Sequence, residues 1–283
     1  MGRRHAHLLV MRLPLVPPTI VAVAIIATNF AAALPAAAQS ALAQHNADYT
    51  ECIILAGKDP DAAIKRAQSW WQGGANQAAR QCLGYALVQK GQFVQAGKIY
   101  EDLAADAMGE VAVLKAELYG QAGQAYYLAG MQERAIEAFD RAIALRPGDA
   151  DLFIDRAVAR DEAGLFFEAI DDLNTAIEIE ANRPEAWLYR AAAYRHIGSL
   201  DLALEDANRA VVLSQRSPEA LLERAQIKEL RKDIAGARAD LQSLIKLAPK
   251  SLQGVEAAKR LKTLGQGSAS PAPAPAAAPP ARR

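Results

Sequence analysis

Apolar residues recur at a fixed interval of 34 residues between residues 116 and 251. The interval is repeated four times without a gap, over residues 116–149, 150–183, 184–217 and 218–251. Positions 4, 8 and 11 of each copy, and again positions 20, 24 and 27, are spaced like residues on one face of a helix. Each copy therefore predicts two helices joined by a short turn.

Four positions of the copy carry most of this pattern. Position 4 is large, position 8 is glycine or alanine, position 20 is always alanine, and position 15 is glycine in three copies. Small side chains at positions 8 and 20 allow two helices to approach closely, and the glycine suits the end of the first helix. The residues are Tyr119, Phe153, Trp187 and Leu221 at position 4; Gly123, Ala157, Ala191 and Ala225 at position 8; Gly130, Gly164 and Gly198 at position 15; and Ala135, Ala169, Ala203 and Ala237 at position 20.

The first copy resembles the tetratricopeptide repeat, a 34-residue helical hairpin. The residues that match its pattern are Tyr119, Gly123, Tyr126, Ala135, Phe139, Ala142 and Pro147. The resemblance implies an all-α, right-handed superhelical solenoid of antiparallel helix pairs. In such a fold each pair buries its apolar face only against its neighbours.

The resemblance also divides the rest of the chain. Residues 77–115 read as a degenerate copy, with Leu83, Gly84 and Gly91 at family positions and five extra residues, 111–115, at its end. Residues 39–76 predict a degenerate amino-terminal hairpin, and residues 252–264 predict a capping helix. We expect residues 265–283, rich in alanine and proline, to form a disordered tail.

Two charged positions vary together along the copies. Position 7 is arginine and position 23 is aspartate in the last three copies, while the first copy has alanine at both. We therefore predict three structural salt bridges across the hairpins; an arginine ladder for an anionic ligand is the alternative. The predicted pairs are Arg156–Asp172, Arg190–Asp206 and Arg224–Asp240.

Residues 1–38 have the pattern of a cleaved signal peptide. The segment contains three arginines, all before its apolar run, and no acidic residue. The apolar run is about 16 residues long, which is shorter than the ~20 residues that a membrane-spanning helix needs. Two alternatives stay open: translation from Met11 instead of Met1, and retention of the signal as a membrane anchor. The pattern favours export, which we interpret as a periplasmic location in a bacterial cell.

The cysteine count fits export. The chain after residue 38 contains two cysteines, Cys52 and Cys82, and an even pair in an exported protein is typical of one disulfide. In the repeat register both lie on first helices of neighbouring hairpins, which the resemblance places side by side. Two buried free thiols are the alternative.

Charge and motif content exclude several functions. Without the five arginines of the two ends, 27 basic residues face 32 acidic ones, so the folded part is mildly acidic and a poor nucleic-acid binder. No phosphate loop, zinc-ligand spacing or nucleophile elbow is present, which predicts no metal, no cofactor and no catalytic residue.

In tetratricopeptide proteins the first helices line a concave groove that holds partner peptides. Carried over to this chain, groove positions 2, 5, 9, 12 and 13 give an apolar strip edged by acids, with one basic spot, and favour a basic or amphipathic ligand. The candidate groove residues are Glu117, Tyr127, Asp151, Ile154, Val158, Asp161, Glu185, Leu188, Arg195, His196, Glu219 and Leu222.

These observations predict a non-catalytic protein–protein interaction scaffold or adaptor of the bacterial cell envelope, with a protein or peptide partner. One alternative is a regulatory or accessory subunit of an envelope enzyme complex. Another is a small-ligand binder that uses Arg195 and His196.

Overall fold

The computed structural model describes residues 36–72, 77–107, 112–214 and 216–266. Within these residues the chain forms thirteen α-helices, and consecutive helices pack against each other along its length. The helices are α1 Ala36–Lys58, α2 Pro60–Gln72, α3 Gln77–Gln89, α4 Phe93–Asp106, α5 Ala112–Leu128, α6 Gln132–Leu145, α7 Ala150–Glu162, α8 Phe166–Ile179, α9 Pro184–His196, α10 Leu200–Leu213, α11 Pro218–Leu230, α12 Ile234–Leu247 and α13 Leu252–Gln266. The predicted all-α solenoid is confirmed.

Turn residues end the helices where the sequence predicts. Gly91, Gly130, Gly164 and Gly198 each follow a first helix with φ between 73° and 80°, a conformation that glycine adopts without strain. The fourth strict copy has Lys232 at this position, and it keeps the same turn with a φ of 67°. The backbone geometry of the turn is therefore conserved between copies even where the glycine is not.

Small residues let the two helices of a hairpin approach closely. All four alanines at position 20 are completely buried. At position 8 of the first strict copy, a Cβ added to Gly123 would lie 2.7 Å from the ring of Phe139 on α6. The same relation joins Gly84 of α3 to the ring of Tyr100 on α4, also at 2.7 Å. The degenerate copy thus packs like the strict ones.

First helices of neighbouring copies contact each other directly along one side of the solenoid. These contacts join α1 with α3, α5 with α7, α7 with α9, α9 with α11, and α11 with α13. No two second helices contact each other to the same extent in the described part of the chain. The first helices therefore lie closer together and form the inner face of the curve.

The amino-terminal hairpins are joined covalently. Cys52 on α1 and Cys82 on α3 form a disulfide, with their Cα atoms 6.1 Å apart, and both residues are completely buried. The predicted disulfide is confirmed. It links two neighbouring first helices, where Ala67 of α2 and Leu83 of α3 belong to the same apolar cluster.

Several element boundaries differ from the sequence-based ones. Helix α5 begins at Ala112, so four of the five extra residues 111–115 extend the first helix of the next copy by one turn. Helix α13 continues to Gln266, two residues past the predicted capping helix. Residues 1–35 of the predicted signal and residues 267–283 of the predicted tail lie outside the described residues. Among the described helices, none combines the length and the apolar character needed to cross a bilayer.

Candidate partner-binding face

All three predicted arginine–aspartate pairs form, each with two hydrogen bonds. In the third strict copy, Arg190 Nε and Nη2 donate to the two carboxylate oxygens of Asp206 at 2.7 and 2.9 Å. The pairs of the second and fourth copies have the same geometry, with distances of 2.6 and 2.9 Å. The aspartates at position 23 are buried, so these arginines serve the hairpin and do not form a free anion-binding ladder.

Each arginine also makes a third contact, to the preceding copy. The Nη1 atoms of Arg156 and Arg190 donate to Asp140 and Asn174 at 2.5 and 2.7 Å, and Arg224 donates to Asn208 at 3.1 Å. These acceptors all occupy position 25, which the sequence analysis missed. The signal was present, since position 25 is a short polar residue in all three preceding copies. One guanidinium thus joins three helices from two copies.

The apolar part of the predicted groove is closed. Ile154, Val158, Leu188 and Leu222 are only 6–7% exposed and therefore do not offer an open strip to a ligand. The reason is visible in the packing: Leu188 belongs to a cluster that contains Ala220 and Leu221 of the next copy. Position 5 therefore fills the space between copies.

The predicted basic spot is also used within the fold. Arg195 Nε donates to Glu223 Oε1 at 2.5 Å, and the two side chains are 10% and 1% exposed. His196 Nδ1 lies 3.0 Å from Asp161 Oδ1, and its ring packs against that of Phe166 with centroids 4.9 Å apart. The structure thus gives three predicted groove residues, Asp161, Arg195 and His196, partners within the same chain.

Most predicted groove acids also have partners. Arg183 forms ion pairs with both Asp151 and Glu185, which are exposed. Glu219 accepts a hydrogen bond from Gln253 of α13 at 3.1 Å. The Arg183–Glu185 pair joins two neighbouring copies, and the Gln253–Glu219 bond joins the last copy to α13. They leave the inner face less acidic than the sequence alone indicates.

Two carboxylates on the inner face stand apart. Glu117 of α5 is partly buried, and burial raises the pKa of its carboxyl group. Asp155 of α7 accepts a hydrogen bond from Gln124 at 2.8 Å, and burial, aided by the charges of Asp151 and Asp149, raises its pKa to about 7. Within the described residues neither forms an ion pair, although the charges of Arg146 and Arg183 partly oppose the rise in the pKa of Glu117 and of Asp155, respectively.

Tyrosines accompany these carboxylates. Burial, and after it the charge of Asp155, raises the pKa of the Tyr189 hydroxyl, which places Tyr189 near Asp155. Tyr127, a predicted groove residue, is partly buried beside Glu162 and Asp161, and its pKa is raised to about 12 by burial and then by those charges. The inner face therefore combines tyrosine hydroxyls with desolvated carboxylates.

Sequence reasoning missed position 6 of the copy as an inner-face position. It holds Gln121, Asp155, Tyr189 and Glu223, and no residue type is repeated there. The available signal was this variation, since position 4 is large and position 8 is small in every copy while position 6 changes its residue type each time. No group of side chains in the described residues has the composition of a metal site.

Comparison with known proteins supports the fold. Models of the tetratricopeptide repeat match residues 116–149 and residues 219–251. The chain therefore contains tetratricopeptide repeats. A search of curated proteins gives no significant match.

Two solved structures, Cut9–Hcn1 and MamA, give the same result at the level of the fold. The Cut9–Hcn1 hetero-tetramer of the APC/C matches with a TM-score of 0.59 and 17% identity, over 77% of this chain and 42% of that chain. A MamA RS-1 double mutant matches with a TM-score of 0.52 and 17% identity, over 59% of this chain and 92% of that one. The second tetratricopeptide domain of human RPAP3, solved with an HSP70 peptide, matches with 27% identity and a TM-score of 0.38, over 40% of this chain and 98% of that domain.

Proposed function

We propose that this protein is a non-catalytic scaffold that holds a protein or peptide segment against the inner face of its solenoid. The observation that carries the proposal is the inner face itself. Adjacent first helices present two desolvated carboxylates, Glu117 and Asp155, that have no ion-pair partner in the described part of the chain. After burial, the charges of Glu117 and Asp155 also raise the pKa of Tyr49 and of Tyr189, respectively.

The chemistry of this face favours a segment that carries basic side chains. An isolated, partly buried carboxylate is costly to ionise, and a cation brought by a partner offsets that cost. Tyrosine rings attract cations through their faces and supply hydroxyl groups at the same time. An acidic segment would bring like charge toward Glu117 and Asp155.

The cellular setting is part of the proposal. The signal-like residues 1–38 favour export, and an exported chain suits the buried Cys52–Cys82 disulfide, since disulfides persist in oxidising compartments. These two observations support the periplasm of a bacterial cell envelope as the proposed location. Fractionation of cells that express the tagged chain tests this part independently of binding.

The small-ligand alternative has less support. It depended on Arg195 and His196, and these side chains have the intramolecular partners Glu223 and Asp161. A regulatory or accessory subunit of an enzyme complex differs from a general scaffold in its partners. Stoichiometric copurification with one enzyme would support the subunit, and a range of partners would support the scaffold.

The test is crosslinking and pull-down with the tagged full chain. Ile154 and Leu188 are buried, so charged residues there would disturb the fold and give no information about binding. Better variants are Tyr127→Ala, together with charge reversal at the exposed Glu162. Matched controls are charge reversals at the exposed Glu137 and Glu178 of the second helices α6 and α8.

We expect the inner-face variants to lose captured partners while the controls retain them. The circular-dichroism spectrum and the melting temperature of each variant report whether the fold is intact. Equal capture by all folded variants would contradict the use of the inner face.

A further inference from the structure

A cavity of about 410 Å³ lies where the third strict copy meets the fourth. It is lined by Val211 and Val212 at the end of α10, by Arg216 in the turn that follows, and by Arg224 of α11. Cavities of this size hold small ligands. Because α10 is a second helix, and Arg224 bonds to Asp240 of the second helix α12, the cavity is separate from the inner face of first helices.

In the two preceding copies an aromatic ring covers the arginine at position 7. Trp187 lies over Arg190 with 4.9 Å between the guanidinium carbon and the ring centroid, and its indole N–H donates to the carbonyl of Ala181 at 2.9 Å. Phe153 lies over Arg156 at 5.6 Å. In the third copy the ring therefore bridges the arginine and the turn that precedes its helix.

The fourth copy lacks this ring. Position 4 is Leu221, which is 2% exposed and packs in the same apolar cluster as Val211. Within the described residues, no aromatic ring lies over Arg224. Its Nε and Nη2 donate to Asp240 and its Nη1 donates to Asn208, so the edge of the guanidinium is held and its face is uncovered. The cavity is bounded by the two elements that Trp187 bridges one copy earlier.

The turn beside the cavity also has its own conformation. The residues that follow α6, α8 and α12 have φ between −137° and −143°, whereas Ser214 after α10 has a φ of −84°. Arg216 then adopts a φ of 69°, which is strained for a residue with a side chain. Its side chain is exposed and forms no hydrogen bond or ion pair with the described residues. The cavity is thus lined by one paired arginine and one unpaired arginine, and by no acid.

We propose that this cavity binds a small aromatic acid, a planar ring that carries a carboxylate. The ring stacks on the guanidinium face of Arg224 and contacts Val212, which is 72% exposed, while the carboxylate pairs with Arg216. Guanidinium groups stack on aromatic faces and bind carboxylates through two parallel hydrogen bonds. An aliphatic acid would leave the stacking face unused, and a neutral ring would leave Arg216 unpaired. The inference goes beyond the proposed function, because the cavity lies outside the inner face.

The probe is indole-3-propionate, whose ring is that of Trp187. It is titrated into the ¹⁵N-labelled full chain and followed by amide chemical shifts. Indole-3-propionamide, which lacks the charge, and cyclohexanepropionate, which lacks the aromatic ring, are titrated in parallel. We expect saturable shifts at the end of α10 and the start of α11 with indole-3-propionate, and binding about tenfold weaker or less with either analogue.

A peptide arm distinguishes a free acid from the end of a protein chain, which offers the same chemistry when its last residue is aromatic. A tetrapeptide with a carboxyl-terminal tryptophan should bind no more tightly than indole-3-propionate, because the cavity accommodates one ring and one carboxylate. Clearly tighter binding of the tetrapeptide would replace the free acid by a chain end as the ligand.

Two variants and a matched control locate the site. Arg216→Gly should weaken binding about tenfold or more without lowering the melting temperature, since it removes the cation and glycine adopts this φ without strain. Val212→Glu should weaken binding at least as much, because it places a like charge beside the carboxylate; the second copy has the exposed Glu178 at the same position, so the repeat accommodates it. Lys250→Gly removes an exposed positive charge at the position of Arg216 in the fourth copy, and it should leave binding nearly unchanged.

The inference is overturned if either analogue binds as tightly as indole-3-propionate, if the shifts do not saturate, or if Lys250→Gly weakens binding as much as Arg216→Gly. The last result would mean general attraction of an anion to basic surface residues. Partner capture by the inner-face variants is measured without these probes, so the proposed function stands or fails separately.

Discussion

Replacing Asp206 by alanine tests how much an arginine–aspartate pair stabilises its own helical hairpin. Asp206 is the suitable member because, among the described residues, it forms an ion pair with a single cation, Arg190. Asp172 and Asp240 each have a second cation, Arg160 and Lys228, which would obscure the loss of one partner. The variant therefore leaves one buried guanidinium without its carboxylate.

The structure sets the expected cost. The side chains of Arg190 and Asp206 are 16% and 5% exposed, so the pair is largely shielded from water. Breaking a buried pair costs about 3–5 kcal/mol. Arg190 keeps its hydrogen bond to Asn174 and its contact with the Trp187 ring, so we expect a loss near 2–3 kcal/mol, below that range. Burial lowers the pKa of Arg190, but the hydrogen bonds and the charge of Asp206 have the larger combined effect. The pKa of Arg190 is therefore raised, and the arginine stays charged.

The measurement is urea unfolding at neutral pH followed by circular dichroism, with Asp201→Ala as the control. Asp201 also pairs with an arginine, Arg231, but its side chain is 92% exposed, so its loss should cost at most about 1 kcal/mol. The double variant R190M/D206L, which removes both charges, should recover much of the loss. If Asp206→Ala costs no more than Asp201→Ala, the pairs do not hold the hairpins together.

Three further predictions address other parts of the fold. Replacing Cys52 and Cys82 by alanine should destabilise the amino-terminal hairpins by roughly 3.5 kcal/mol, measured by calorimetry; an unchanged melting temperature would contradict this. Gly123→Ala should destabilise the fold, since the added Cβ would lie 2.7 Å from an aromatic ring. Gly57→Ala has open space around it and should stabilise the fold by up to about 1 kcal/mol. Equal urea midpoints for the two variants would refute the packing argument. Asp155 has a raised pKa of about 7, so the folded state binds its proton more tightly than the unfolded state, and stability should fall as pH rises from about 4 to 7. Asp155→Asn should therefore be more stable than the wild type at pH 8 but not at pH 4, and an equal difference at both values would contradict the assignment.

The sequence predicted the features that depend on one helical hairpin at a time. Position 20 is alanine in every copy because two helices touch there, and all four alanines are buried. Positions 7 and 23 change together because their side chains meet, and the covariation was visible within one chain. Internal repetition thus supplied the comparison that an isolated domain lacks.

Features that depend on neighbouring copies were harder to predict. Position 5 was assigned to the groove, but Ile154 and Leu188 are buried, because that side of a first helix also faces the next copy. The charge of Arg195 looked available because its partner Glu223 lies 28 residues away on the next first helix. A pattern read along one helix does not show which polar residues meet across copies.

The repetition also indicates where specificity resides. Positions that recur in every copy are used for packing, and a face built from them alone would be the same in each copy. Position 6 differs in all four copies. Gln121 has a buried oxygen without a partner in the described residues, and Glu223 forms an ion pair with Arg195. Asp155 has a raised pKa, and its charge in turn raises the pKa of Tyr189. Selection for packing alone would not retain an unsatisfied oxygen or an unpaired, desolvated carboxylate, since each lowers stability. The departures from the repeat on the inner face are therefore the residues at which recognition of a partner should be sought.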